Sequence, residues 1–209
     1  LGARVDVLEV ADARVVACRL ATGERLALAP ADLLVSALPW HALRAVLPQL
    51  PPPIGELRSS PIVSAFVTTA ATAAPLPDDG PVTALVGGDP FHFVMRTPGG
   101  DARHVALLSG GNRSFDGQPV AQIAARALAQ LRTCYPHAAL DGAEITVRKE
   151  QHATFVADPA STRARPRPGR LPDGPANLWL CGDWTATGLP ATLEGAARSA
   201  DAMLAALGA

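Results

Sequence analysis

The chain has 209 residues, of which 48% are hydrophobic and 18% are charged, and its formal net charge is −1. This composition is typical of a globular protein with one domain or two small ones, and it excludes a disordered chain. A net charge so close to zero gives no reason to expect a nucleic-acid partner.

The cysteines and histidines carry no metal-binding or nucleophile pattern. Cys18, Cys134 and Cys181 are far apart in the sequence, which predicts a reduced, cytoplasmic protein. The five histidines share no chelating spacing, so no metal site is predicted. No apolar run reaches the about 18 residues that a membrane span requires.

The first 40 residues carry the pattern of strands. Residues 3–29 are predicted to be rich in β-structure, with runs at residues 5–10, 14–20 and 25–28, and Thr22-Gly23 is a good signal for a hairpin turn. Residues 32–38 are almost continuously apolar, as expected for a strand that is covered on both faces in a parallel sheet. Pro39 ends this strand, and apolar spacing then predicts a helix over residues 40–50.

The next region reads as an antiparallel sheet backed by a helix. It follows the rigid segment Pro51–Pro53, a plausible domain boundary. Strands are predicted at residues 62–68, 91–96, 105–108 and 145–151, and turns at residues 77–80, 87–90, 99–101 and 110–112. Residues 118–134 predict one amphipathic helix, with these side chains facing inward: Val120, Ile123, Ala127, Leu128 and Leu131.

A basic, proline-rich segment follows at residues 163–170, with arginines at four of its eight positions. One interpretation is a clamp for anionic lipid, which would give peripheral contact with a membrane. The alternative, which we favour, is a solvated connector.

The last 33 residues predict a strand, an acidic loop and a helix. Residues 178–181 have the length of a buried strand, and the loop that follows carries one acid, Asp183. Pro190 suits the first helical position, which would leave the amides of Ala191, Thr192 and Leu193 free at the positive end of the helix dipole. Such an end stabilises an electron-rich group, and the pattern alone fits a flavin, a sugar phosphate or no ligand.

Residues 180–199 resemble the C-terminal flavin motif of the squalene-associated FAD-dependent desaturases, also called hydroxysqualene dehydroxylases. Gly182-Asp183 followed by a helix with Glu194-Gly195 resembles the whole amine oxidase and phytoene desaturase superfamily, whereas residues 183–192 are similar to the dehydroxylase branch. Residues 60–62 and 153–155 agree with the same family. Ala200 departs from it, because a glycine commonly follows the Arg-Ser pair.

The resemblance implies a fold of class α/β plus α+β. Residues 1–40 and 156–209 would be the C-terminal part of a Rossmann-like FAD-binding domain, and residues 41–155 an inserted substrate domain with an antiparallel sheet. The implied cofactor is FAD, and the residues expected to bind it are Gly182, Asp183, Trp184, Gly188, Leu189, Pro190, Ala191, Thr192 and Leu193. Asp183 would accept hydrogen bonds from ribityl or ribose hydroxyls.

The implied reaction is the reductive removal of the hydroxyl group of hydroxysqualene, an apolar isoprenoid, inside a tunnel that excludes water. Pro39 and Trp40 would lie near the flavin and contact the substrate, and Arg96 would be a further polar contact to it. The alternative for Pro39 and Trp40, which we favour, is a joint between strand and helix with a tryptophan in the core. No catalytic residue is assigned, because the flavin itself transfers hydride.

The chain contains no Gly-x-Gly-x-x-Gly turn for the FAD pyrophosphate. We therefore expect a dinucleotide-binding N-terminal half outside this sequence, without which the chain would bind FAD poorly. Other enzymes of the superfamily, such as carotenoid desaturases and amine or protoporphyrinogen oxidases, remain alternatives. An alternative of another class is a non-catalytic binding module that has lost the cofactor half.

Overall fold

A computed structural model describes residues 2–70, 76, 80–87, 90–96 and 103–208, with residues 52 and 53 described by their backbone alone. These residues form two compact units. Unit 1 comprises Leu1–Arg58 and Thr154–Ala209, and unit 2 is the continuous segment Ser59–Ala153. The predicted turns at residues 77–80, 87–90 and 99–101 lie wholly or partly outside the described residues.

Both units mix strands and helices, as predicted. The strands are β1 Val5–Ala11, β2 Arg14–Leu20, β3 Arg25–Ala27, β4 Leu34–Ser36, β5 Ser59–Thr68, β6 Val82–Ala84, β7 Phe93–Met95, β8 His104–Gly110, β9 Glu144–Phe155, β10 Gly169–Arg170 and β11 Leu178–Leu180. The α-helices are α1 Trp40–Val46, α2 Pro52–Gly55, α3 Val120–Cys134, α4 Pro159–Ala164 and α5 Leu193–Leu207, and a 3₁₀ turn spans Arg113–Phe115.

Unit 1 contains two small sheets. The first is an antiparallel sheet with strand order β1-β2-β3, and it includes the hairpin predicted at Thr22-Gly23. The second has the order β10-β11-β4, in which β11 runs parallel to β4 and antiparallel to β10. The apolar run at residues 32–38 therefore does acquire a parallel neighbour, although the strand itself is only Leu34–Ser36.

The expectation that this strand is covered on both faces is wrong for the described residues. Leu33, Val35 and Leu38 are 48%, 44% and 40% exposed. The reason is that Leu33 and Val35 lie on a face of the strand that no described element covers, whereas Leu34 and Ser36 on the opposite face are half-buried and buried.

Asn177 joins the two sheets of unit 1. Its side chain is fully buried and pairs with the backbone of Val15, accepting from the amide at 2.8 Å and donating to the carbonyl at 3.0 Å. It also donates to the carbonyl of Asp32 at 3.3 Å. Because a buried polar group is costly unless its partners are present, this residue fixes β2 beside the start of β11.

Residues 41–58 belong to unit 1, although they were expected in the substrate domain. Their apolar side chains share one core with β11 and the loop after it, and the residues that contribute to this core include Leu43, Val46, Leu47, Ile54, Leu57, Leu178, Leu180 and Trp184. The first boundary consequently falls at Arg58 rather than at residue 40. Helix α1 also ends at Val46 rather than at residue 50, because Pro48 has no amide to continue it.

Unit 2 is a five-stranded sheet with helix α3 against one face, as predicted. The strand order is β6-β7-β8-β5-β9, and the pairs β6-β7, β7-β8 and β8-β5 are antiparallel. Helix α3 buries Ile123, Ala127 and Leu131 in the core of this unit. Val120, which was expected to face inward, is 52% exposed because it is the first residue of the helix.

Candidate functional site

The candidate site lies where the parallel strands β4 and β11 end. The amide of Cys181 donates to the carbonyl of Ser36 at 3.0 Å, and the indole nitrogen of Trp184 donates to the carbonyl of Leu38 at 3.0 Å. These two bonds bring the segment before Pro39 next to the loop that follows β11. In open α/β sheets, the carboxyl ends of neighbouring parallel strands are the usual place for a ligand.

Gly182–Gly188, named here the Gly-Asp loop, begins with a backbone that only glycine suits. Gly182 has φ +137°, and a Cβ atom there would lie 2.9 Å from two ring atoms of Trp184. Its amide donates to the hydroxyl of Ser199 at 2.7 Å, and the hydroxyl of Thr185 donates to its carbonyl at 2.7 Å. The start of the loop is therefore fixed by one hydrogen bond to Ser199 near the C-terminal end of the sequence and by another within the loop itself.

Trp184 anchors the Gly-Asp loop to the core of unit 1. Its side chain is completely buried in the core of unit 1, where Trp40 is also buried. Trp184 was expected to bind the cofactor, but its indole ring is packed inside unit 1.

Asp183, unlike Trp184, is not fully buried. It is half-buried, and its carboxylate takes part in no ion pair and no hydrogen bond that we find among the described residues. Its backbone carbonyl, in contrast, accepts a hydrogen bond from Arg165 at 3.2 Å. The carboxylate of Asp183 is therefore available to accept hydrogen bonds from hydroxyl groups.

Helix α5 starts at Leu193, three residues later than expected. The prediction that Pro190 occupies its first position is wrong, because Thr192 caps the helix: its φ and ψ of −141° and 164° are extended, and its hydroxyl accepts from the amide of Gly195 at 3.1 Å. A capping threonine satisfies an otherwise unpaired amide, which proline at the first position does not do. The amides without intrahelical acceptors are thus those of Leu193 and Glu194.

Gly195 lets the preceding segment cross the helix start. A Cβ atom at this position would lie 2.9 Å from the backbone carbonyl oxygen of Pro190. Residue 195 is buried, and only a glycine allows this close approach without a backbone shift. Close packing against Pro190 therefore explains why glycine follows glutamate in this motif.

The start of α5 is open within unit 1. Leu193 is 92% exposed, and Thr192, Glu194 and Gly188 are also exposed. Glu194 forms an ion pair with Arg198 one turn later, with a distance of 2.8 Å between Oε1 and Nε. Among the described residues of unit 1, this end of the helix is therefore accessible to a ligand that carries negative charge.

The remaining expected residues divide between the units. Pro39 is the N-cap of α1, and Trp40 packs edge-on against Phe155 with ring centres 6.5 Å apart. Leu189 and Ala191 are half-buried, and Pro190 is exposed. Arg96 belongs to unit 2, where it follows β7, is half-buried and donates its amide to the carbonyl of Pro81 at 2.9 Å.

The site offers neither a reactive thiol nor a metal centre among the described residues. Burial raises the pKa of Cys181, so its thiol stays protonated at neutral pH. Within the same described residues, no group of three His, Cys, Asp or Glu side chains could hold a metal ion.

Two residues of the site were missed by sequence reasoning. Ser199 closes the motif in sequence and is fully buried, but nothing in the apolar spacing of α5 marks it as the acceptor for the Gly182 amide. Arg165 looked like one of several surface arginines. In both cases the partner is more than 15 residues away in the sequence, so a local pattern carries no signal.

The model of one protein family matches residues 1–203, and that family is described as flavin-containing amine oxidoreductases. The chain belongs to this family. FAD is the cofactor that membership implies, as the motif predicted.

Two relatives in the family confirm the resemblance to the hydroxysqualene dehydroxylases. A protein of that name from Rhodopseudomonas palustris is 34% identical, with 98% of this chain and 46% of the relative aligned. A second one from Sinorhizobium fredii is 32% identical over 84% of this chain and 38% of the relative. The chain thus spans less than half the length of these relatives.

Solved structures show the same fold for the described region. An oxidoreductase from Methanosarcina mazei matches with a TM-score of 0.65 and 14% identity, covering 100% of this chain and 49% of that protein. Iminodiacetate oxidase from a Chelativorans species matches with a TM-score of 0.53 and 20% identity, covering 97% of this chain and 47% of that protein. Among the described residues, no helix is both long enough and apolar enough to cross a membrane.

Proposed function

We propose that the full-length gene product is an FAD-dependent oxidoreductase that removes the hydroxyl group of hydroxysqualene to give squalene. Two observations carry the proposal: the open, threonine-capped start of α5, and the half-buried carboxylate of Asp183, for which we find no hydrogen-bond partner among the described residues. The names of the two relatives point to the same reaction. Fully reduced FAD would supply a hydride and a proton: the hydride forms the new C–H bond as the C–O bond breaks, and the proton lets the hydroxyl group leave as water.

Unit 1 holds the cofactor in this proposal. The amides of Leu193 and Glu194 and the positive end of the α5 dipole favour a group that gains negative charge. The carboxylate of Asp183 accepts hydrogen bonds from the hydroxyls of the cofactor. Gly188, which is exposed and has φ +78°, carries no side chain that would obstruct a cofactor approaching the loop.

Unit 2 binds the isoprenoid in this proposal. One face of its sheet packs on α3, whereas the other presents a row of directly paired residues, named here the outer row: Phe66, Ala106, Met95 and Val82. Phe66, Met95 and Val82 are 47%, 37% and 53% exposed, although Ala65, Val67 and Val94 beside the first two are buried in the core. An exposed apolar row on an otherwise well-packed sheet is typical of a binding surface for an apolar molecule.

The partner of both units is a dinucleotide-binding N-terminal half. Two features support it: the unpaired edge of β4 and a cavity of about 730 Å³ in unit 1, whose apolar lining includes Val5, Leu8, Leu34, Ala42 and Val46. A parallel sheet that is open on one side and apolar on its surface is suited to accept further strands. The greater length of the two relatives leaves room for such a half.

A product assay tests the proposed reaction. The full-length gene product, loaded with FAD and supplied with a reductant, is incubated separately with hydroxysqualene, phytoene and an amine. Squalene from the first incubation supports the proposal. Desaturated phytoene or an oxidised amine assigns the protein to another branch of the family, and the absence of bound FAD and of any product favours a non-catalytic module.

Replacing Asp183 with Ala is expected to weaken FAD binding by about 10–100-fold, because charged hydrogen bonds contribute about 1.5–3 kcal/mol. The measurement is flavin absorbance retained after gel filtration, followed by titration of the apoprotein with FAD. The matched control is Asp201→Ala, which removes an exposed carboxylate from α5. Normal flavin content in Asp183→Ala, with the far-ultraviolet circular dichroism unchanged, would contradict the assigned role.

Replacing Phe66 with Asp is expected to raise KM for the isoprenoid by about 10-fold or more while leaving FAD content unchanged, because an exposed phenylalanine contributes about 1.5–3 kcal/mol when a ligand buries it. Steady-state kinetics check this expectation. Val10→Asp serves as the control, since Val10 is 40% exposed on the sheet of unit 1. An equal rise in KM for both variants would show that the outer row does not contact the substrate.

A further inference from the structure

Arg165 follows helix α4 and turns toward the Gly-Asp loop. Its Nε donates to the carbonyl of Trp184 at 3.1 Å, and one terminal nitrogen donates to the carbonyl of Asp183 at 3.2 Å and to that of Thr185. Three consecutive peptide groups therefore converge on one guanidinium. No other arginine of the basic segment makes a comparable contact among the described residues, and Arg163, Arg167 and Arg170 are exposed.

The guanidinium is itself held in place. Its central carbon lies 4.8 Å from the centre of the Phe155 ring, and that ring is 4% exposed. Burial lowers the pKa of Arg165, whereas the negative charge of Asp183 acts in the opposite direction. A planar guanidinium that is stacked on an aromatic ring has little freedom to rotate, so the three bonds fix the directions of the peptide groups they reach.

Arg165 contacts the main chain of Asp183 rather than its carboxylate. Arg165 binds the backbone of Asp183, and no ion pair between their side chains is found in the described part of the chain. A direct ion pair would have used the acceptor that the proposed cofactor requires. The arrangement instead anchors residue 183 by its main chain and keeps its carboxylate available.

We infer that Arg165 is a positioning residue for FAD binding: its guanidinium fixes the peptide groups of residues 183–185 and thereby holds the carboxylate of Asp183 where the cofactor needs it. The inference rests on the proposed function for its ligand, but the effect on the loop exists without FAD. Lysine cannot replace the arginine, because a single ammonium group lacks the planar fork that reaches three carbonyls.

Hydrogen exchange of the apoprotein separates this role from general stabilisation. The reporters are the amides of Thr185 and Ala186, which donate to Gly182 and Pro166 at 3.0 and 2.8 Å. In Arg165→Met and Arg165→Lys these amides are expected to exchange about tenfold faster or more, with the core amides of both units unchanged, because local opening does not require global unfolding. The matched control is Arg167→Met, an equal change on the same segment at an exposed position.

FAD titration of the same variants gives the second measurement. Both Arg165 variants are expected to bind FAD about tenfold more weakly or worse, and Arg167→Met within twofold of the wild type. Three results overturn the inference: loop exchange unchanged in Arg165→Met, exchange raised equally throughout unit 1, or full rescue by Arg165→Lys. If the wild-type protein binds no FAD, the proposed function fails, while the exchange data still decide whether Arg165 fixes the loop.

Discussion

Replacing Trp184 with Ala is expected to lower the free energy of unfolding by about 3–5 kcal/mol, the usual cost of removing a large aromatic side chain from a core. The side chain is 0% exposed and has the largest volume among the fully buried residues described. Its indole nitrogen also bonds to the carbonyl of Leu38 at 3.0 Å. Urea denaturation of the full-length gene product, followed by far-ultraviolet circular dichroism, measures the change.

Trp184→Phe is the matched variant. It keeps most of the buried apolar surface but leaves the carbonyl of Leu38 without its donor, which costs about 1–3 kcal/mol. We therefore expect the free energy of unfolding of Trp184→Phe to lie between those of the wild type and Trp184→Ala. A loss below about 1 kcal/mol for Trp184→Ala would be typical of a surface position and would contradict the buried location of the ring.

Replacing Gly182 with Ala is expected to abolish FAD retention and to destabilise unit 1. The φ of +137° alone costs about 1–3 kcal/mol for a residue with a side chain, and the added methyl would lie 2.9 Å from the indole of Trp184. Flavin content after gel filtration and urea denaturation are the measurements. Gly23→Ala is the control, because Gly23 has φ +87° but no atom within 4 Å of the added Cβ position.

The collision itself can be isolated by a double-mutant cycle. In the Trp184→Ala background the clashing ring is absent, so Gly182→Ala should cost less there than in the wild type, by about 1 kcal/mol or more. If the two substitutions are additive, the cost at position 182 comes from the backbone alone. Gly23→Ala should remain additive with Trp184→Ala in either case.

Elements with a strong local pattern could be predicted from the sequence. Strand β2 was predicted residue for residue, because its run of apolar and β-branched residues is followed by the turn at Thr22-Gly23. Helix α3 was predicted within two residues, since its spacing is regular over 15 residues. The antiparallel sheet of unit 2 follows from several such strands in succession.

Features that depend on two competing local signals, or on partners far away in the sequence, could not be predicted. Pro190 and Thr192 are both good signals for a helix start, and the capping hydrogen bond of Thr192 prevails. Pro51–Pro53 indicated a boundary, but Leu57 beyond it is still packed into the core of unit 1. Arg165 carries no local mark that separates it from Arg163 or Arg167, because its partners lie 18 to 20 residues away.

The division of unit 1 into two segments has a consequence for its synthesis. Asn177 must reach back over 162 positions to pair with Val15, and β4 receives its parallel neighbour only from β11. During translation, unit 2 is complete before residue 177 leaves the ribosome, since its segment ends at Ala153. The Gly-Asp loop, which follows β11, therefore takes up its place only after unit 2 has been synthesised.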